Sequence, residues 1–278
     1  MLMIITALYC EAQPLIEFYH LKKNNQIKQF QVFQNDEMNL IITNTGSIAA
    51  AVGVSLLCNK YPPSVDDFLI NIGVCAINKK DIPSGTIYCC NKITEEATNR
   101  SFYPDLLYQH SFPEISILTC SRIKTKHEIA RCGRERQLFD MEAAGIYQAA
   151  SYYYQPQQLS FLKIVSDYGT QKEINPKTIS ELIQKKIPEL NIWLDLLKRA
   201  RTKISPPFSR EEEAFIVRTV ENLRCSVTMD YQLRQLLHYH KLVHGNINDI
   251  MDILSDSNRC KTKAEGKMCF EQLKSKLI

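Results

Sequence analysis

Three carboxylates stand directly behind apolar runs in this sequence. Glu11 follows LMIITALYC, Glu142 follows Phe139-Asp140-Met141, and Asp167 follows FLKIVS. In an open α/β sheet, ligands bind outside the carboxyl ends of the strands. Grouped there, carboxyl groups can move protons and stabilise developing positive charge. Taken singly, each also reads as a helix N-terminal carboxylate that complements the macrodipole. Three at equivalent topological positions favour a common site.

Other residues invite weighing. Gly46-Ser47 opens a small-residue helix, IAAAVGVSLL; this is either an anion site at a helix N-terminus or a tight turn with close packing. His240 and His244 stand four apart near His238, a spacing that can hold zinc. With no acidic or Cys partner close in sequence, a partly exposed helix surface accounts for them equally well. No metal and no cofactor is expected.

The elements that must position the acids come next. Residues 2–8, 39–45, 67–76, 84–93, 115–120, 137–140 and 159–166 read as strands, several of them continuous apolar runs of the kind buried on both faces. Residues 47–58 and 141–153 read as helices. Asn175-Pro176 is an N-cap with Pro at N1, opening a helix to about 203 that Pro188 should disturb. Strands alternating with helices indicate an α/β fold with a mixed central sheet flanked by helices. The character changes at Ile204-Ser205-Pro206-Pro207. Ser209–Glu212 is a capping box, and 230–243, 247–254 and 261–278 carry helical patterns. The expected division is therefore 1–203 as the α/β domain and 204–278 as an all-helical extension.

Composition bounds the function. The chain has 278 residues, 45% hydrophobic, with a net charge of +4. This charge is too small and too evenly spread to suggest nucleic acid or an anionic membrane surface. No apolar run reaches the roughly 18 residues of a membrane span. The opening MLMIITALYCEAQ reads as a buried strand, not a signal peptide. Ten cysteines without a CxxC, several inside apolar runs, read as free thiols in a reducing cytoplasm.

ALYCEA (7–12), TNTGSIAAA (43–51), INIGVCA (70–76), DMEAAGIYQAA (140–150) and IVSDYG (164–169) follow one another in an order that resembles the purine nucleoside phosphorylase/uridine phosphorylase superfamily. Within it, the chain is most similar to the 5′-methylthioadenosine/S-adenosylhomocysteine nucleosidases, over about residues 1–203. The resemblance implies cleavage of an N-glycosidic bond through an oxocarbenium-like ribosyl cation, with carboxyl groups on both sides of the bond. It implies Asp167 as general acid at purine N7, oriented by Ser166, and Glu11 as the base for water. Glu142 would accept the ribose 2′- and 3′-hydroxyls and Met141 would wall the sugar, with Gly46 and Gly73 as further substrate-binding positions. The implied substrate is a 5′-modified adenosine, the product adenine, and the assembly a homodimer.

Phosphorolysis is the alternative. It needs arginines and N–H groups for a dianion, whereas Leu8-Tyr9-Cys10-Glu11 puts a carboxylate at that place. A nucleoside-binding scaffold acting through the helical extension is another. The chain departs from the nucleosidase pattern in three places. Val74-Cys75-Ala76-Ile77 replaces a Ser-Ala-Gly-Gly-like segment. Lys163 stands where an Arg is usual. Residues 121–136 offer Ile123 but no aromatic to stack on the base.

Overall fold

The computed structural model describes residues 1–132, 135–169, 175–203, 207–255 and 260–277. The composition break at 204–206 lies outside them. The chain divides into two compact units, Met1–Ile204 and Ser205–Ile278.

The first unit runs β1 (Leu2–Thr6), α1 (Tyr9–Phe18), β2 (Lys22–Lys23), β3 (Gln31–Gln34), β4 (Met38–Ile42), α2 (Ser47–Lys60), β5 (Phe68–Ile77), β6 (Ile87–Glu95), β7 (Ser101–Phe102), β8 (Glu114–Thr119), α3 (Lys126–Arg131), β9 (Leu138–Asp140), α4 (Ala143–Ala150), β10 (Leu159–Asp167) and α5 (Pro176–Lys203). The strands form one mixed sheet. β1 lies parallel between β4 and β5. Beyond it the sheet closes on itself. β5 pairs with β10, β10 with β6, β6 with β8, β8 with β9, and β9 returns to the last two residues of β5.

Helices cover both faces. One core joins Ala50, Val54 and Leu57 of α2 and the small residues of α4 to Ile5, Ile41 and Phe161. The other joins Leu15 of α1 and Ile183, Leu190 and Leu194 of α5 to Ile4, Leu40 and Ile70. This double cover is why β1 is buried at every position and reads as an unbroken apolar run.

The boundaries differ from the sequence expectations for local reasons. The run 2–8 ends as a strand at Thr6 and the run 39–45 at Ile42, because each gives its last residues to the turn leading into a helix. α1 was not expected; Pro14 lies inside it and masks its pattern. β2, β3 and β7 are short and paired only through the sheet. α5 continues through Pro188. Its buried Ile187, Leu190, Trp193 and Leu194 hold the helix against the loss of one hydrogen bond.

The second unit holds α6 (Arg210–Asn222), α7 (Val227–His244), α8 (Asn248–Ser255) and α9 (Lys263–Leu277). Its core gathers Phe215, Ile216, Leu233, Leu237, Ile250 and Phe270. Ser209 caps α6 through the Glu212 N–H at 3.2 Å, and Glu212 pairs with Lys241. No helix among the described residues is long and apolar enough to cross a membrane.

α4 packs against the start of α2 with no room for a side chain at Gly145. A Cβ on Gly145 would stand 2.2 Å from the Ser47 carbonyl oxygen. Gly145→Ala is therefore expected to destabilise the unit by roughly 1–3 kcal/mol, despite alanine's better helix propensity. Denaturant unfolding measures it, and a neutral or stabilising effect would contradict the contact.

Candidate active site

The site is built along β5, at the point where the sheet splits. Three consecutive residues serve it through backbone or register. The Val74 N–H donates to Glu11 Oε1 at 2.8 Å. The Cys75 carbonyl accepts from Ser166 Oγ at 3.1 Å. Ala76 pairs with Asp167 on one side and Phe139 on the other. Glu11, Asp167 and the β9 end are thus brought together around one short stretch of strand.

Glu11 sits in the first turn of α1 and reaches back under it. Its Oε2 accepts the N–H groups of Ala7 and Leu8, each at 2.9 Å. Gly73 makes the approach possible, since a Cβ there would lie 2.9 Å from Glu11 Oε1. Burial pushes the Glu11 carboxyl above its ordinary range, against the pull of the backbone N–H groups and the Lys163 ammonium.

Glu142 is the N-cap residue of α4. Its Oε1 accepts the Gly46 N–H at 2.8 Å, and Gly46 has φ +105°, which only glycine adopts readily. The anion at the start of α2 is therefore a side chain of the protein itself. Burial, and then the neighbouring Asp140, push Glu142 up to about 7, while Lys163 and the Gly46 N–H oppose them.

Asp167 ends β10 beside a bulge at Ser166, which re-aims both side chains. Its Oδ2 lies 2.8 Å from Ser166 Oγ, and its Oδ1 accepts the Gly169 N–H at 2.7 Å. Ser166 has one hydrogen and two acceptors in reach, the Cys75 carbonyl and the Asp167 carboxylate.

Behind the acids lies a buried ion pair that the site-residue reading missed. Lys163 Nζ meets Asp140 Oδ2 at 2.8 Å, with both side chains almost fully buried. Thr119 Oγ1 donates to Asp140 Oδ1 at 2.7 Å, and the Ala143 N–H donates to Oδ2 at 2.8 Å. Burial pulls the Lys163 ammonium down, but Asp140 and Glu142 outweigh it and hold the group above its usual range. A lone lysine inside the apolar run LSFLKIVS was the available signal, because a buried ammonium requires an anion.

Glu11, Asp140, Met141, Glu142, Ser166 and Asp167 line one cavity of about 1060 Å³. Gly46 and Gly73 are not among its lining residues; Gly46 donates its N–H to Glu142 and Gly73 leaves room for Glu11. The cavity wall also includes Ile123, Arg122 and Phe139. Among the described residues the cavity is lined by two aromatics, Tyr9 of α1 and Phe139 of β9, and by none from 121–136. The histidines lie elsewhere. His240 Nε2 meets the Asp249 carboxylate at 3.2 Å and its ring lies 4.3 Å from that of His244. Among the described residues no group of three or more His, Cys, Asp or Glu is placed to hold a metal.

No family model and no curated protein matches this chain. Solved structures match its fold. The 5′-methylthioadenosine/S-adenosylhomocysteine nucleosidase of S. pneumoniae, solved with a transition-state inhibitor, is 18% identical, covers 71% of this chain and 98% of its own, and has a TM-score of 0.56. The Chlamydia trachomatis nucleosidase is 21% identical over 70% of this chain and 98% of its own, at 0.53. The Arabidopsis thaliana 5′-methylthioadenosine nucleosidase is 13% identical over 70% and 95%, at 0.58. The chain therefore has the fold of these nucleosidases, over about 70% of its length.

Two outcomes follow from the electrostatics. Lys163→Met leaves Asp140 buried without its cation and is expected to cost about 3–5 kcal/mol in denaturant unfolding; an effect under 1 kcal/mol would contradict the pair. Glu142, raised to about 7 when folded and ordinary when unfolded, binds its proton more tightly in the native state. Its contribution is complete below about pH 4 and is lost as pH rises through about 7, by at most about 3 kcal/mol. Stability measured from pH 4 to 8 should fall less steeply in Glu142→Gln. An unchanged slope would count against the raised carboxyl.

Proposed function

We propose that this chain, built on the nucleosidase fold, hydrolyses the N-glycosidic bond of a 5′-modified adenosine and releases adenine. Methylthioadenosine, S-adenosylhomocysteine and 5′-deoxyadenosine are the candidate substrates. The observation that carries the reading is the convergence of Glu11, Glu142 and Asp167, from three separate elements, on one cavity.

The roles follow from the bond to be broken. Heterolysis leaves positive charge on the ribosyl C1′ and negative charge on the departing purine. Asp167, held by Ser166 and Gly169, delivers a proton to purine N7 so that the base leaves neutral. Glu11 keeps lone pairs beyond its three N–H contacts. A carboxylate whose proton affinity is raised by burial is a better base toward water, which adds to C1′ from the face opposite the purine. Glu142 accepts the ribose 2′- and 3′-hydroxyls and, with Glu11, places negative charge beside the cationic transition state. Met141 packs against the sugar.

Hydrolysis is favoured over phosphorolysis by what occupies the anion positions. The Gly46 N–H is already taken by Glu142. A phosphate dianion entering beside Glu11, Glu142 and Asp140 would meet carboxylates on the sugar side. Oligomerisation as a homodimer and a cytoplasmic setting belong to the same reading.

Adenine release from each of the three nucleosides, with the protein in excess, decides the activity; no release from any of them rejects it. Asp167→Asn and Glu11→Gln should each lower kcat by about 10³-fold or more with unchanged circular dichroism. Substantial turnover in either would reject the assigned roles. Activity should rise as pH passes about 7, where Glu142 ionises. Ribose 1-phosphate as a product would instead establish phosphorolysis.

A further inference from the structure

All ten cysteines are free thiols, and two of them meet in the helical unit. Cys260, just before α9, and Cys269, within it, hold their sulfurs 3.8 Å apart. A disulfide needs a separation of about 2.05 Å, so closure asks for a movement of under about 2 Å.

The surroundings hold this pair in place. The Cys260 N–H donates to the Asn222 carbonyl at 2.9 Å. Arg224 Nε donates to the Cys260 carbonyl at 3.0 Å. Cys260 is thereby fastened to the turn between α6 and α7. The first turn of α9 presses on the same turn, since a Cβ on Gly266 would stand 1.8 Å from the Leu223 carbonyl oxygen. Cys269 is exposed, whereas Cys260 is 7% exposed.

We propose that Cys260 and Cys269 form a dithiol modification site that is oxidised by a small disulfide of the glutathione type. The exposed Cys269 thiolate attacks one sulfur of the small disulfide, forms a mixed disulfide and releases one small thiolate, which takes up the proton Cys269 gave up. Cys260 then loses its proton and attacks Cys269 Sγ. The second small thiolate leaves and takes up that proton. Two protein thiols are oxidised and one small disulfide is reduced to two thiols. The new bond ties α9 to Cys260, which is itself hydrogen-bonded to the α6–α7 turn. The inference is independent of the nucleoside reading, since it concerns only the helical unit.

The full-length protein, fully reduced, is incubated in glutathione buffers of increasing oxidised fraction. The expected product has lost two hydrogens by intact mass, and peptide mapping joins Cys260 to Cys269. Its thermal midpoint for the helical unit should rise by about 5 °C or more. Cys260→Ser should stop at one glutathione adduct on Cys269, which shows the order of attack even if the cross-linked form is short-lived. Cys269→Ser should give no cross-link at Cys260. An unreacted Cys269 in excess oxidised glutathione overturns the proposal. So does a wild-type protein that accumulates adducts without closing, or a link from Cys260 to the neighbouring Cys225.

Discussion

The ion pair between Lys163 and Asp140 is the constraint around which the first unit is arranged. An unpaired ammonium or carboxylate at that depth would cost several kcal/mol. Each therefore requires the other, and Asp140 requires more: the Thr119 hydroxyl and the Ala143 N–H also reach its oxygens. These partners come from β10, β9, β8 and the start of α4. The pair thus joins the strands on either side of the place where the sheet closes, and it sets the start of the helix that carries Glu142. Position and charge are coupled. The same ammonium that holds β9 in register lowers the cost of ionising Glu142 and Glu11.

That coupling bears on the positions where the sequence departs from what its resemblance implies. At Val74–Ala76 the groups in use are the Val74 N–H, the Cys75 carbonyl and the pairing register of Ala76, all of which any non-proline residue supplies. The side chains at 74–76 therefore shape the wall of the cavity and leave its framework in place. Gly73 is different. Its missing Cβ is space that Glu11 occupies. Lys163 likewise keeps a cation where an Arg is usual. A compact ammonium suits the single contact to Asp140 Oδ2, which does not call for a planar fork.

How much of this was legible depended on the range of the interaction. The apolar runs announced β1, β4, β5 and β10 because burial on both faces leaves a local mark. The three acids were legible as strand-end carboxylates. What they touch was not. The contacts of Glu142 with Gly46, of Glu11 with Val74, and of Asp140 with Lys163 span long sequence separations and exist only once the sheet has closed. Phe139 was read only as part of a strand, because the register that puts β9 on the end of β5 has no local signature. α1 was hidden by Pro14, and the Asp249 partner of His240 by a turn between two helices.

The distribution of charge narrows what the cavity can take. Glu11, Asp140 and Glu142 crowd one side, and the buried ammonium offsets only part of their charge. Such a site resists an anion at the sugar and welcomes a neutral molecule that becomes positive as it reacts. Burial raises both Glu11 and Glu142, and for Glu142 the neighbouring Asp140 and Glu11 carboxylates add to it, so Glu142 is held beside them at some cost. In the proposed reaction, a ribosyl cation forming between these carboxylates would relieve the repulsion, whereas the ground-state nucleoside would not. For the proposed reaction, such a site would be complementary to the charge of the transition state and not to that of the substrate, which is the condition for an interaction to accelerate a reaction instead of merely tightening binding.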